Sequence, residues 1–150
     1  MYLVFGFDKW HVRETYEFRP YKKVVVRTVN QLHPCVVVEI GCGLGEILSK
    51  VDAGVKVGVD TDRGVVRAAR WLNWHKHTSF LDGSFNAVKD LPFDQIDALI
   101  MVNWLHNVAE ERVRTELSQL SQRKKIRYLL QMKYSVTRRT TDITTISVGV

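Results

Sequence analysis

Two carboxylates and three glycines are spaced as a grip for a nucleoside. Glu39 precedes Gly41, Gly43 and Gly45, and Asp60 follows Gly41 by nineteen positions. Glycines let a backbone turn sharply and approach a ligand closely. A carboxylate at a strand tip accepts hydrogen bonds from both hydroxyls of a ribose. The elements needed to place these groups are legible around them. Val36-Val37-Val38-Glu39-Ile40 reads as a β-branched strand, Glu46 to Val51 as helix-like, and Val55 to Val59 as a second strand ending in Asp60. Together they make a βαβ unit with the glycine turn at its first corner.

The glycine spacing indicates which nucleotide fits. A dinucleotide cradle, G-x-G-x-x-G, needs its third glycine at position 46, where this chain has Glu46; the third glycine comes one residue early, at Gly45. Pyrophosphate is held by free N–H groups and the positive pole of a helix N-terminus. A glutamate in that first turn repels it. A phosphate-free cofactor carrying an ammonium group would instead be welcomed by Glu39, and S-adenosylmethionine has that chemistry. The stretch resembles motif I of the class I S-adenosylmethionine-dependent methyltransferases, an acidic residue, any residue, then G-x-G-x-G.

The resemblance extends from about Cys35 to Lys133 and implies a set of contacts. Cofactor binding falls on Glu39, Gly41, Cys42, Gly43 and Gly45, and the ribose on Asp60 with Thr61 beside it. The adenine amino group falls on Asp82 in the run Asp82-Gly83-Ser84-Phe85, with Phe85 as a ring contact. The fourth strand carries over onto Asp97 to Val102, and its exit, Asn103-Trp104-Leu105-His106, falls where methyl and acceptor should meet. Asn103 and Trp104 are therefore cofactor or substrate contacts, Asn103 also a catalytic candidate, with packing the competing role for Trp104. His106 is the candidate general base, able to titrate near neutrality, its alternative role being a hydrogen-bonded start to the next helix. Only Asn103 matches the N-P-P-Y motif of amine- and amide-methylating enzymes, so base N-methylation lacks that support.

Composition bounds the rest. A chain of 150 residues, 45% hydrophobic, can bury one core but hardly two. No apolar run approaches the roughly 18–20 residues that span a bilayer. Met1 to Asp8 lacks the basic start of a signal peptide, and Cys35 and Cys42 read as reduced thiols, so the expectation is a cytoplasmic protein. His75 and His77 have no supporting ligands, and no metal is expected. The net charge of +6 raises the question of RNA. Arg123, Lys124, Lys125 and Arg127 fall at the amino ends of the strands, opposite the expected site, and Arg67, Arg70 and Lys76 belong to a helix packed on the sheet. A solvated basic surface is the leading reading, with RNA the alternative.

The expected fold is α/β: a three-layer Rossmann-like sandwich whose mostly parallel sheet has the order 3-2-1-4-5, with one antiparallel C-terminal strand and helices on both faces. Residues 1–150 form a single S-adenosylmethionine-binding domain, with 1–33 as an N-terminal helical or lid segment. Helices are expected at Tyr21 to Leu32 (Val24, Val25, Val29 and Leu32 inward, Lys22, Lys23 and Arg27 toward water), Arg63 to His75 and Ala109 to Leu120. Only Tyr134 to Val150 follow strand five, too few for the helix and two strands usual in the resembling family, so a direct hairpin is expected. Three functions compete. The first is methyl transfer to a small molecule or oxygen nucleophile; the second is an RNA methyltransferase; the third is a catalytically inactive cofactor-binding module that needs a partner chain. A homodimer is compatible with each, and an aminopropyl transferase is disfavoured because this basic chain has no acidic pocket for a polyamine.

Overall fold

A computed structural model describes residues 2–7, 16–102, 108–134 and 141–147. Six strands form one sheet: β1 (Val36–Ile40), β2 (Val55–Asp60), β3 (Thr78–Asp82), β4 (Gln95–Met101), β5 (Lys125–Tyr134) and β6 (Thr141–Ser147). Their order is β3-β2-β1-β4-β5-β6. The first five run parallel, and β6 lies antiparallel to β5, from Tyr128 opposite Ser147 to Tyr134 opposite Thr141. The order reverses between β1 and β4, so the crevice of this doubly wound sheet opens beyond the carboxyl end of β1. That is where the glycine turn sits.

Among the described residues five α-helices accompany the sheet: α1 (Tyr2–Phe5), α2 (Pro20–Gln31), α3 (Arg63–Leu72), α4 (Phe85–Lys89) and α5 (Glu110–Ser121). Side chains of successive strand residues point to opposite faces, and two cores result. On one face Val25, Val26 and Val29 of α2 and Val66 and Ala69 of α3 pack with Val37, Phe80 and Ile100. On the other, Val88 of α4 and Val113 and Leu120 of α5 pack with Val38, Ile40, Val59 and Leu99. The near-continuous apolar run of β4 follows from burial on both faces.

Two expected elements differ. The helix expected from Glu46 to Val51 is a single 3-10 turn, Leu48–Lys50, inside a run of turns. Length explains this. Nine residues (46–54) must return along the sheet after the glycine turn; as α-helix they would rise about 13 Å, whereas six strand residues span about 20 Å. A path that rises faster than an α-helix is required, and the chain meets it with turns, the 3-10 turn and the non-helical residues 51–53. Lys22, expected in water, is only 5% exposed, while Val24 faces solvent and Val26 enters the core. The helix is rotated from the expected register because Lys22, Val25, Val26 and Val29 form one i, i+3, i+4, i+7 stripe.

At the amino end of the sheet, Asp97 joins three strands. Its Oδ2 accepts the backbone N–H groups of Cys35 (2.8 Å) and Val36 (2.9 Å), and its Oδ1 accepts from Gln95 Nε2 (2.8 Å) and Arg127 (3.3 Å). Burial alone would raise this carboxyl, but those hydrogen bonds outweigh it and hold the pKa below its ordinary 3.8. A lowered carboxylate stabilises the fold above its unfolded value, and the contribution disappears as pH falls through the folded one. Asp97→Asn should cost about 2 kcal/mol at neutral pH. Denaturant unfolding at a series of pH values should show the gap from wild type closing below 3.8.

Candidate functional site

The site is built at the carboxyl ends of β1, β2 and β3. The glycine turn is held by backbone bonds from Gly41 N–H (2.8 Å) and Cys42 N–H (3.1 Å) to Val59 O. Gly41, Gly43 and Gly45 all have positive φ (72°, 54° and 77°), the left-handed region that favours glycine. Asn73, buried after α3, donates to Leu44 O at 2.9 Å and pins the turn from the other side. Gly45 is also closed in: a Cβ there would lie 2.5 Å from Phe80 Cζ and 3.1 Å from Asn73 Nδ2. The Phe80 ring is buried and has nowhere to move. Gly45→Ala should therefore combine left-handed strain of about 1–2 kcal/mol with overpacking of about 1–3 kcal/mol. A thermal melt should register a fall of roughly 10 °C for a chain of this size.

Asp60 and Asp82 end adjacent strands and stand opposite each other in the parallel register. Asp60 organises the turn as well as facing the crevice. Its Oδ2 accepts Gly43 N–H (2.9 Å) and its Oδ1 accepts Asp62 N–H (3.1 Å). A carboxylate has about four acceptor positions, so two remain for a diol. Gly83 N–H donates to Asp60 O at 2.9 Å, which ties the ends of β2 and β3. Asp82 pairs with Arg63 Nε at 2.6 Å in a solvent-exposed bridge of little strength. Thr61 and Ser84 lie beside these carboxylates, Thr61 exposed and Ser84 half-buried.

Glu39 is the most unusual group. It is 1% exposed, its Oε2 has no hydrogen-bond partner among the described residues, and it lies on the sheet face that α2 covers. Burial pushes its pKa well above the ordinary 4.5; Lys22 pulls it down, and Asp60 and Glu46 push it up further. An isolated buried carboxylate costs several kcal/mol unless a cation joins it. Lys22 reaches toward this group but forms its ion pair with Glu46, whose other oxygen accepts Tyr16 N–H at 3.1 Å. One acidic cluster thus binds the segment before β1 to the glycine turn. Glu46 heads no helix, so the cradle also lacks the helix N-terminus that a pyrophosphate requires. Burial, Glu39 and Asp60 all raise the Cys42 thiol, which keeps it neutral and unsuited to nucleophilic chemistry.

Glu39, Gly41, Cys42, Gly43, Gly45, Asp60, Asp82 and Gly83 lie at the carboxyl ends of β1, β2 and β3. Phe85 is a correction: it is 1% exposed and packs with Val57, Val59 and Val88 in the second core, so it offers no ring face to a ligand. The α4 helix begins at Phe85 and turns its first side chain inward. Asn103, Trp104 and His106 lie outside the described residues. Lys22 was missed as a site residue. Its place on the apolar stripe of α2 was the available signal, obscured by the habit of assigning lysines to solvent. Among the described residues no cluster of three His, Cys, Asp or Glu side chains could hold a metal, and no helix is long and apolar enough to cross a membrane.

Comparison with known proteins agrees with this geometry. A family model described as a methyltransferase domain matches residues 38–124. A search of curated protein sequences finds no match. Among solved structures, YcgJ from Bacillus subtilis superposes with a TM-score of 0.62 at 19% identity, over 77% of this chain and 51% of that one. Magnesium protoporphyrin IX methyltransferase from Synechocystis with bound SAM superposes at 0.62 and 20% identity, over 78% of this chain and 59% of that one. The methyltransferase domain of bacterial CtHen1-C superposes at 0.61 and 17% identity, over 80% and 72%. The chain spans about half the length of YcgJ.

Proposed function

The chain belongs to the methyltransferase domain family, S-adenosylmethionine-dependent enzymes of class I with a Rossmann-like fold, and on that premise we propose that it methylates a small-molecule acceptor at oxygen. The observation that carries the cofactor assignment to particular residues is the orphaned Glu39 oxygen, buried beside a turn with no helix N-terminus. A cationic, phosphate-free ligand fits it; a pyrophosphate does not.

S-adenosylmethionine supplies a sulfonium methyl that an aligned nucleophile takes in one in-line displacement. Asp60 would hold the ribose diol, Glu39 the ammonium and Asp82 the adenine amino group, while the glycine turn lets the backbone come close. Asp60 is fixed by two backbone N–H groups, which supports a positioning role: a rigid clamp aligns what it holds. His106, at the exit of β4, takes the proton from the acceptor hydroxyl, and Asn103 and Trp104 orient the reacting groups. The absence of an N-P-P-Y sequence after β4 favours oxygen over an amide or base nitrogen. Residues 1–33 act as a cover, a role supported by the Tyr16 and Lys22 contacts to Glu46. Two free cysteines are compatible with a reducing cytoplasm.

The test is a calorimetric titration of the folded chain with S-adenosylmethionine and S-adenosylhomocysteine, followed by a screen of hydroxyl-bearing acceptors using labelled methyl groups. Micromolar binding with label transferred to an alcohol or phenol supports the reading. Label transferred to amines alone overturns the oxygen assignment. No binding by a folded protein overturns the cofactor assignment and leaves an inactive module that needs a partner chain.

A further inference from the structure

Between Asp62 and Asp82 the chain has four Lys or Arg residues and no acid. The fold places three of these cations together with two tryptophans. Arg63, Arg67, Arg70 and Trp71 follow an i, i+4, i+7, i+8 pattern on α3, Trp74 stands in the turn just after it, and all five are exposed. The intervening Val65, Val66, Ala68 and Ala69 are buried against the sheet or under Phe7. Trp71 is 62% exposed and Trp74 82%. Indoles so bare are unusual on a protein surface, since they bury more apolar area than any other side chain when a partner covers them.

Among the described residues the charges on this stripe are largely uncompensated. Arg63 reaches Asp82, but Arg67 donates to the Phe5 carbonyl (3.1 Å), and Arg70 donates twice to the Phe80 carbonyl (2.9 and 2.6 Å). Carbonyl oxygens fix these guanidinium groups in place without cancelling their charge. The result is a row of cations that leads into two exposed aromatic faces, Trp71 at the end of α3 and Trp74 in the turn after it. The row begins at the carboxyl end of β3, where Arg63 meets Asp82, and runs away from the crevice along α3.

We infer that the outer face of α3 is a docking surface for single-stranded RNA, the phosphates pairing with Arg63, Arg67 and Arg70 and unpaired bases stacking on Trp71 and Trp74. Charge complementarity selects a polyanion, and the two indoles select one that presents flat faces. Unpaired bases are the common presentation of RNA loops and ends. An anionic lipid surface is the competing partner, because Leu3 and Val4 of α1 are also exposed beside this face. An interfacial helix, however, segregates its cations from its apolar side chains, whereas here both share one stripe. The surface does not depend on the methyl-transfer reading and meets the cofactor cradle only at Arg63, which pairs with Asp82; Arg67, Arg70, Trp71 and Trp74 make no contact with it in the hydrogen bonds and ion pairs described.

The experiment uses the full chain and a labelled, mixed-sequence single-stranded RNA of roughly 12 nucleotides, within the range that stacking platforms cover. Fluorescence anisotropy is measured across a salt series, for wild type, Trp71→Ala/Trp74→Ala and Arg67→Gln/Arg70→Gln. Vesicles of anionic phospholipid form a parallel arm. Wild-type binding should weaken with salt at a log–log slope of about −2 for three phosphate contacts. The tryptophan variant should bind at least tenfold more weakly with its salt slope kept. The arginine variant should lose both affinity and roughly 1.4 of that slope. Thermal melts and titration with S-adenosylhomocysteine are run on each variant. Unchanged melts and unchanged titration alongside lost RNA binding assign the loss to the stripe, so a failure of the cofactor reading would be seen separately. RNA binding that is absent, or indifferent to both variants, overturns the inference, as does tight vesicle binding without RNA binding.

Discussion

Glu39→Gln should make the cofactor-free chain more stable at neutral pH and at the same time weaken its hold on S-adenosylmethionine. Glutamine keeps the shape of the side chain and removes the cost of a buried carboxylate with an unpartnered oxygen, a gain of about 1–3 kcal/mol. The same change removes the negative partner of the ammonium. Losing one member of a buried charge pair costs at least about 2 kcal/mol, or roughly 30-fold in affinity. The pH dependence has a definite sign. Glu39 in the fold has a pKa above its ordinary 4.5, set by burial, Asp60 and Glu46 against the opposing pull of Lys22. The folded chain therefore holds a proton that the unfolded chain has lost. Its contribution to stability is complete below 4.5 and declines as pH rises toward the folded value. Cofactor affinity should move the other way, rising with pH as that proton leaves. Denaturant unfolding and calorimetric titration at about pH 5 and about pH 7.5 read both trends. A variant less stable than wild type at neutral pH would show that Glu39 is satisfied in the free chain and would remove the argument for an ammonium at that place.

Asp60→Ala should have the larger effect on binding. A diol gripped by a carboxylate makes two charge-assisted hydrogen bonds of about 1.5–3 kcal/mol each, so their loss should weaken affinity by at least about 100-fold. The variant also releases the N–H groups of Gly43 and Asp62, which should cost about 1–3 kcal/mol of stability. Asp60→Asn separates the two roles, because its amide oxygen can still accept one backbone N–H while its charge is gone. Affinity lost in both variants, with stability lost mainly in the alanine variant, supports the ribose role. Equal affinity in wild type and Asp60→Asn would place the ribose elsewhere and leave Asp60 as a brace for the turn.

Much of the framework was legible because it is written in local periodicities. Runs such as Val36–Ile40 and Asp97–Val102 are too apolar and too short for anything but strands buried on both faces. Arg63–Leu72 shows its buried stripe within its own ten residues. The order of chemistry-bearing residues, from Glu39 through the glycines to Asp60 and Asp82, could be read because each stands at the end of a strand, and parallel strands bring their carboxyl ends to one edge of the sheet. The segment after Gly45 was misread because a helical pattern over six residues carries no information about the distance the chain must cover. That distance is set by the length of β2, an element that comes later in the chain.

Neighbouring residues and their spacing were enough to determine the glycine turn and the places of Glu39, Asp60 and Asp82 at the ends of their strands. Other features depend on groups remote in sequence. Lys22 reaches Glu46 across 24 positions, Asp97 reaches Cys35 across 62, and Phe85 turns inward because α4 packs on β2. Burial and charge pairing are properties of the assembled layers: the energy of a side chain is set by what surrounds it, and in a doubly wound sheet the surroundings come from distant parts of the chain.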